Sequence, residues 1–170
     1  MINKIGVLTS GGDAPGMNAA IRGVTRYAIQ KGLTVEGIIR GYEGLLSHET
    51  RPLGRRDVGA IIHRGGTMLR TARCLEFKEK ETQKKAAAYL RELEIDALVV
   101  VGGDGSMRGA QALSRWGIPT ITIPGTIDND MMGTQYTLGF DTAVNTVLES
   151  VNKIRDTAFS HDRVAVIEVM

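Results

Sequence analysis

Two aspartates, Asp128 and Asp130, stand two positions apart in the stretch PGTIDND, residues 124–130, directly after a run of apolar and β-branched residues. Beside a magnesium polyphosphate, one carboxylate at a strand end can accept the proton of a hydroxyl group while a second one orients the site. The other interpretation is that both side chains only form the hydrogen bonds of an Asx turn. The spacing alone leaves both interpretations open.

Two glycine-rich stretches precede predicted helices: TSGGDAPGMN at 9–18 and GGDGSMRG at 102–109. A glycine turn before a helix offers free backbone N–H groups and the positive end of the helix dipole, which favour phosphate binding. One such turn is explained equally well by tight turning of the chain, but two of them beside a carboxylate loop indicate a polyphosphate site. Neither is a Walker A loop or a regular G-x-G-x-x-G motif. Pro124 stands where a ribose-binding acid is expected, which disfavours hydride transfer.

Charged residues could complete such a site. Asp104 lies between two glycines, where a carboxylate can hold the Mg²⁺ that accompanies phosphates, or can instead act as a helix N-cap. The planar fork of Arg73 suits phosphate oxygens, although a solvated arginine is commoner. Arg22 and Arg26 are four positions apart on one predicted helix, where a bound anion would relieve their repulsion. A second phosphate site would draw on further arginines, namely Arg55, Arg56 and Arg155, with solvated helix faces as the alternative.

The elements that position these residues alternate along the chain. Continuous apolar runs predict buried strands at 4–9, 34–40, 96–102, 118–123 and 163–170. Helical patterns occupy 17–31, about 57–64, 78–93, 106–116 and 140–158. Strand followed by helix, repeated, predicts an α/β fold with a doubly wound, mostly parallel sheet and helices on both faces. Ligands bind such sheets beyond the carboxyl ends of the strands, where the three stretches above occur.

Length and composition exclude several classes. The 170 residues predict one domain spanning 1–170. Because the chain stops inside the apolar run 163–170, we expect it to be truncated before a further domain. The net charge of +2 and the dispersed basic residues predict no nucleic-acid or membrane partner. The single cysteine, Cys74, and an amino terminus without a signal region favour a cytoplasmic location.

Four motifs resemble the amino-terminal half of bacterial ATP-dependent 6-phosphofructokinases, and the likeness extends without gaps over all 170 residues. These motifs are GVLTSGGDAPGMNAAIRGV at 6–24, GGDGS at 102–106, PGTIDND at 124–130 and GFDTA at 139–143. The resemblance implies an allosteric homotetramer that transfers the γ-phosphate of MgATP to the 1-hydroxyl of fructose 6-phosphate in glycolysis. Residues 1–170 would be its ATP-binding domain, truncated before the substrate domain, and this half alone is expected to be inactive.

The resemblance also implies roles for individual residues. Asp128 would be the catalytic base, with Thr126 and Asp130 beside it. ATP would contact Gly12, Arg73, Cys74, Gly103, Asp104, Gly105 and Ser106, and Asp104 would hold Mg²⁺. Fructose 6-phosphate would contact Thr126, Ile127, Asp128, Arg163 and Met170, with Arg163 reaching the sugar phosphate of a neighbouring subunit. An effector site, where ADP activates and phosphoenolpyruvate inhibits, would contain Arg22, Gly23, Val24, Thr25, Arg26, Arg55 and Arg155.

Related activities are the alternatives. Pyrophosphate-dependent relatives tend to carry aspartate at the position of Gly105 and lysine at that of Gly125. Glycine at 105 favours ATP because an aspartate would put bulk and negative charge beside the α-phosphate. A truncated, non-catalytic nucleotide-binding module is a second alternative, motivated by the ending of the chain. Diacylglycerol and NAD kinases share the GGDG turn but lack PGTIDND. Lys78 stands where an ATP-contacting arginine is common, and Ala60 replaces an acidic residue usual in the effector site.

Overall fold

The computed structural model describes residues 2–169. Six strands and five helices follow one another in the order β1 (Lys4–Ser10), α1 (Met17–Gln30), β2 (Thr34–Ile38), α2 (Gly41–Leu46), β3 (Thr50–Pro52), α3 (Lys80–Glu92), β4 (Ala97–Gly102), α4 (Asp104–Arg115), β5 (Thr120–Thr126), β6 (Leu138–Gly139) and α5 (Phe140–Ser160). Short 3-10 turns occupy Gly59–Ile61 and Leu75–Lys78.

The strands form one sheet in the order β3-β2-β1-β4-β5-β6. All neighbouring pairs are parallel except β2 and β3, which are antiparallel. The central strands β1 and β4 are buried almost throughout, because helices cover both of their faces. The predicted mostly parallel, doubly wound sheet is therefore confirmed, with the short antiparallel β3 as an edge strand that the apolar pattern did not indicate.

The core lies in two layers, because successive side chains of a strand point to opposite faces of the sheet. One layer packs against α1 and contains Ile5, Val7 and Val99 with Ile21 and Ala28 of the helix. The layer under α2, α3 and α4 contains Leu8, Leu98, Val100, Leu45, Leu90 and Leu113. Burying each of these large side chains stabilises the fold by about 1.5–3 kcal/mol relative to exposing it. Together the layers fix the strand ends that carry the glycine-rich stretches.

The helix predicted at about 57–64 does not form. Only Gly59–Ile61 makes a 3-10 turn, and Ala60 has φ −95° and ψ 48°, outside the helical region. The carbonyl groups of Val58 and Gly59 accept hydrogen bonds from Arg22 of α1. The non-helical backbone of Ala60 ends this run after one 3-10 turn, and Arg22 ties that turn to α1.

The strand predicted at 163–170 is also absent over its described part. Residues 163–169 have no regular secondary structure and are exposed, and residue 170 lies outside the described range. An apolar run becomes a strand only where a neighbouring strand accepts its ladder hydrogen bonds, and none of the described strands pairs with this run. Among residues 2–169, no helix has the length and apolar character needed to cross a bilayer.

Candidate active site

Three neighbouring strands end near one level of the sheet. In the register of the central strands, Ser10 of β1 pairs with Gly102 of β4, and Gly102 pairs with Pro124 of β5. The turn after β1 (residues 11–16, the first glycine turn), the turn after β4 (residues 103–105, the second glycine turn) and residues 126–130 (the carboxylate turn) therefore leave the sheet side by side. The fold brings together the three stretches in which the sequence predicts chemistry.

The end of β4, where the second glycine turn begins, is tightly packed. A Cβ atom at Gly102 would lie 2.5 Å from both the carbonyl oxygen of Ser10 and the hydroxyl oxygen of Ser106, so only glycine fits there. Ser106 is buried and donates its hydroxyl hydrogen bond to the Ser10 carbonyl at 2.9 Å. The Ser106 side chain thus joins the first turn of α4 to the end of β1.

The outer side of the same region is open. A Cβ atom at Gly105 or at Gly12 would have no heavy atom within 4 Å. Gly103, the residue before α4, faces the carboxylate turn, because its Cβ would approach the Cβ of Thr126 to 4.0 Å. The first turn of α4 presents orphan N–H groups and the positive end of the helix dipole toward this space. These features suit a phosphate group lying between the two glycine turns.

Asp104 is the acidic residue in the first turn of α4. Its exposed carboxylate forms an ion pair with Arg108 at 2.8 Å, one turn along the helix. Within residues 2–169, no group of three or more His, Cys, Asp or Glu side chains is arranged to hold a metal ion. A Mg²⁺ ion here would have one protein carboxylate and would take its other ligands from phosphates and water, which is the donor set that Mg²⁺ commonly accepts. Asp104 fits that role.

Hydrogen bonds centred on Thr126 shape the carboxylate turn. The backbone N–H of Asp128 donates to the Thr126 hydroxyl at 3.2 Å, and that hydroxyl lies 3.4 Å from Oδ2 of Asp128. Thr137, which is buried, donates its own hydroxyl hydrogen bond to the Thr126 carbonyl at 2.7 Å. The carboxylates of Asp128 and Asp130 are exposed. The turn fixes the backbone and leaves both acids available to a ligand.

Asn129, between the two aspartates, is a site residue that the sequence interpretation missed. Its φ of 51° is in the left-handed region, which asparagine tolerates better than most residues. Its side chain accepts a hydrogen bond from the N–H of Thr137 at 2.9 Å and donates one to the carbonyl of Gln135 at 3.1 Å. The signal available was the residue type, since asparagine at a turn commonly bonds nearby backbone groups.

Residues 62–74 form a loop, the arginine loop, that carries Arg73 and Cys74. Thr71 of this loop donates a hydrogen bond to the carbonyl of Gly11 in the first glycine turn at 2.6 Å. Thr9, buried at the end of β1, donates to the carbonyl of Arg70 at 2.8 Å. Arg73 is exposed, and Cys74 is half-buried, so that burial raises the pKa of its thiol. The loop is fastened beside the first glycine turn.

Comparison with known proteins identifies the arrangement. The profile of the phosphofructokinase family (PFK: Phosphofructokinase) matches residues 4–170. This chain belongs to the phosphofructokinase family.

Similar proteins agree with that assignment. The chain is 63% identical over 170 residues to the ATP-dependent 6-phosphofructokinase of Caldanaerobacter subterraneus subsp. tengcongensis. It is 59% identical over 169 residues to ATP-dependent 6-phosphofructokinase 1 of Clostridium perfringens. Each alignment covers 99% of this chain and 53% of the relative, so the chain spans about half the length of these curated relatives. A phosphofructokinase structure from Saccharomyces cerevisiae has a TM-score of 0.86 at 38% identity, covering 94% of this chain and 25% of that one.

The arginines of the predicted effector site lie in separate places in this chain. Nη1 of Arg22 donates hydrogen bonds to the carbonyls of Val58 and Gly59, the second at 2.7 Å, so α1 is tied to the segment that follows Arg55. Arg155 lies on α5, where it bonds Asp156 and Asn152 instead of any described residue of α1. Of the remaining predicted effector residues, Gly23, Arg26 and Arg55 are exposed, Val24 is half-buried and Thr25 is buried.

The predicted sugar-binding residues are also divided. Ile127 is half-buried and packs against the small core cluster of Ala14, Met17 and Val101, which supports the carboxylate turn from beneath. Arg163 is exposed just after α5, and its N–H donates to the carbonyl of Ala158. Met170 lies outside the described residues. The phosphofructokinase chain therefore brings Thr126, Ile127 and Asp128 together, whereas Arg163 has no described hydrogen bond to them.

Proposed function

We propose that the complete protein is an ATP-dependent 6-phosphofructokinase, which converts ATP and fructose 6-phosphate to ADP and fructose 1,6-bisphosphate in glycolysis. The observation that carries the proposal is the common level of the three strand ends, which sets two glycine turns beside Thr126 and Asp128. The curated relatives at about 60% identity are named for this activity and support it. In the proposal, residues 1–170 are the ATP-binding domain.

Asp128 is the catalytic base of the proposed reaction. Its exposed carboxylate accepts the proton of the 1-hydroxyl while the hydroxyl oxygen bonds to the γ-phosphorus of ATP. The bond from that phosphorus to the oxygen bridging the β- and γ-phosphates breaks, and ADP leaves. Thr126 limits the movement of Asp128 through their shared hydrogen bonds, and Asp130 orients the sugar hydroxyl from the same turn.

The two glycine turns and the arginine loop bind the nucleotide in this proposal. Phosphate oxygens accept hydrogen bonds from backbone N–H groups at Gly12 and at the start of α4, while Arg73 and Cys74 flank them from the arginine loop. Asp104 would hold Mg²⁺, which would neutralise phosphate charge. Asp104 fits this role because its carboxylate is exposed in the first turn of α4. Arg108 forms an ion pair with the same carboxylate.

ATP is the proposed donor in preference to pyrophosphate. Gly105 adjoins open space, which leaves room for an α-phosphate. A Cβ atom at Gly125 would lie 3.2 Å from Cγ1 of Val101, so a lysine there requires the Val101 side chain to give way by a few tenths of an ångström. Turnover with pyrophosphate in place of ATP, at equal or greater rate, would overturn this choice of donor.

Asp128→Asn tests the proposed base, because it keeps the size of the side chain and removes its ability to accept the proton. In the complete protein we expect kcat to fall by about 10²- to 10⁴-fold. The dissociation constant of MgATP should stay within about twofold. Asp130→Asn, on the same turn, is the matched control and should lower kcat by a smaller factor than Asp128→Asn does. Equal losses of turnover and nucleotide affinity in Asp128→Asn, or no loss of either, would contradict the assignment.

A wild-type protein that binds MgATP but transfers no phosphate would instead favour the non-catalytic nucleotide-binding module. Calorimetric titration with MgATP beside a coupled turnover assay separates these two functions. Both measurements use the complete protein, because the chain spans about half the length of its relatives.

Regulation and assembly belong to the proposal as well. We infer a cytoplasmic homotetramer with an effector site for ADP and phosphoenolpyruvate, built on Arg22, Arg26, Arg55 and Arg155. The tie between Arg22 and the Val58 and Gly59 carbonyls supports a site between α1 and the segment after β3. Arg163 reaches the sugar phosphate of a neighbouring subunit in this assembly. Sigmoidal fructose 6-phosphate kinetics that ADP makes hyperbolic would support the regulation, and kinetics insensitive to both effectors would exclude it.

A further inference from the structure

Tyr42 lies on α2, outside the three strand-end turns, yet it contacts one of them directly. The residue is 4% exposed, and its hydroxyl donates a hydrogen bond to the backbone carbonyl of Ser106 at 2.6 Å. Its ring stacks on Phe77 with the ring centroids 4.2 Å apart and the planes at 19°. The short bond and the stacked ring leave the hydroxyl one position.

The bond from Tyr42 continues into the first glycine turn. Ser106, which is 4% exposed, accepts at its carbonyl from Tyr42 and donates from its hydroxyl to the carbonyl of Ser10. We call these three residues, Tyr42, Ser106 and Ser10, the hydroxyl clamp. The clamp joins α2, the first turn of α4 and the end of β1 through two hydrogen bonds, so it sets the separation of the two glycine turns from behind.

The backbone is shaped to let the clamp close. A Cβ atom at Gly41 would lie 2.6 Å from the carbonyl oxygen of Thr9, so α2 begins in direct contact with β1. A Cβ atom at Gly109 would lie 2.5 Å from Cζ of Tyr42, so α4 lies against the tyrosine ring without an intervening side chain. Tyr42 therefore occupies a fitted position between β1 and α4.

The Tyr42 hydroxyl acts as a donor throughout the working range of pH. Burial raises the pKa of the phenol above its ordinary value, so it stays protonated where an exposed tyrosine would begin to ionise. The hydroxyl is bonded to the Ser106 carbonyl, whereas a Cβ atom at Gly105 would meet no heavy atom within 4 Å. These features fit a group that holds the turn in place.

We propose that Tyr42 is a positioning residue for nucleotide binding, acting through the Ser106 carbonyl to hold the first turn of α4 at the distance from the first glycine turn that a polyphosphate requires. The inference rests on the proposed function, because it takes those turns as the nucleotide site. Binding sites lose affinity when supporting residues allow the groups that touch the ligand to move. Loss of the Tyr42 hydroxyl should therefore weaken the binding of the nucleotide and leave the binding of fructose 6-phosphate unchanged.

Tyr42→Phe in the complete protein removes the hydroxyl and keeps the stacked ring. We expect the KM for MgATP and the dissociation constant of MgADP to rise about five- to tenfold, the size of one lost hydrogen bond. The kcat and the half-saturating fructose 6-phosphate concentration should stay within about twofold. Hydrogen exchange at residues 103–107 should become faster, which gives a second measurement independent of turnover.

Tyr89→Phe is the matched control. Tyr89 is 9% exposed in the same core cluster and its ring stacks on His48, but no described residue accepts a hydrogen bond from its hydroxyl. We expect this variant to leave both nucleotide constants within about twofold of wild type. The comparison separates loss of the clamp from loss of a tyrosine hydroxyl elsewhere in the same core cluster.

The outcomes decide the two proposals separately. Nucleotide constants within about twofold of wild type in Tyr42→Phe, or an equal change in Tyr89→Phe or in sugar affinity, would overturn the positioning role. A wild-type protein that binds MgADP without turnover would overturn the proposed function, and the MgADP constants would still decide the role of Tyr42. A wild-type protein that binds no nucleotide would overturn both.

Discussion

Replacing Gly109 by alanine places a methyl group against the buried ring of Tyr42. The added Cβ would lie 2.5 Å from Cζ, 2.6 Å from Cε2 and 2.7 Å from the hydroxyl oxygen of that ring. Ordinary contacts between carbon atoms are about 3.5–4.0 Å, so the overlap is about 1 Å at each atom. The ring cannot swing aside, because Phe77 stacks on it and it is 4% exposed.

Two opposing terms set the size of the effect. Overpacking of a close-packed core costs about 1–3 kcal/mol, and three simultaneous overlaps place Gly109→Ala near the upper end. Glycine to alanine inside a helix contributes about 1 kcal/mol in the other direction. We therefore expect the free energy of unfolding to fall by about 1–2 kcal/mol. Urea unfolding followed by far-UV circular dichroism measures the change as a lower midpoint at an unchanged slope.

Gly105→Ala is the matched control on the same helix. A Cβ atom there meets no heavy atom within 4 Å, so only the helix-propensity term applies. We expect this variant to be as stable as wild type, or more stable by up to about 1 kcal/mol. If Gly109→Ala proves as stable as Gly105→Ala, the close contact between α4 and Tyr42 does not exist as described, and the argument for the hydroxyl clamp loses its geometric basis.

Two further substitutions test other features of the chain. Asn18 is 2% exposed and makes three hydrogen bonds to residues 64–68. Asn18→Ala should therefore lower the free energy of unfolding by about 2 kcal/mol and make hydrogen exchange in that segment faster. Unchanged exchange rates would contradict the role of Asn18 in holding the segment. Backbone N–H groups of Asn3 and Lys4 bond the carboxylate of Asp96 and lower its pKa. This stabilisation is complete above the unfolded pKa of about 4 and is lost as pH falls through the lower folded pKa, so Asp96→Asn should flatten the fall of Tm as the pH drops below about 4. A slope equal to wild type would refute the role of Asp96.

Local sequence signals predicted the buried strands and the glycine turns that follow them. The runs 4–9 and 96–102 are continuous in apolar residues because helices cover both faces of their strands, and both form central strands of the sheet. Glycines marked the turns after them for a local reason, since the chain must bend between a strand and a helix. The three strand ends of the candidate site were predictable because each carries its own signal.

The elements that were missed depend on tertiary contacts. Helix α2 has the sequence GYEGLL, whose two glycines oppose helix formation. It forms because Gly41 can approach Thr9 and because Tyr42 and Leu45 become buried in the core. The apolar stripe of α5 predicted a helix correctly, but Val144, Leu148 and other residues of that stripe are exposed among the described residues, so the pattern did not reveal what the helix packs against. Periodicity predicts an element but not its neighbour.

The same distinction separates the two kinds of residue in the candidate site. Asp104 and Asp128 are exposed and local to their turns, so their types and spacing were readable in the sequence. Asn18 and Tyr42, which hold the turns and the arginine loop, are buried and bond residues 46 or more positions away. Removing an exposed acid should change chemistry with little effect on folding, whereas removing a buried tie should change stability and ligand affinity together. Measuring both quantities on each variant therefore separates the residues that react with a ligand from those that hold the site in place.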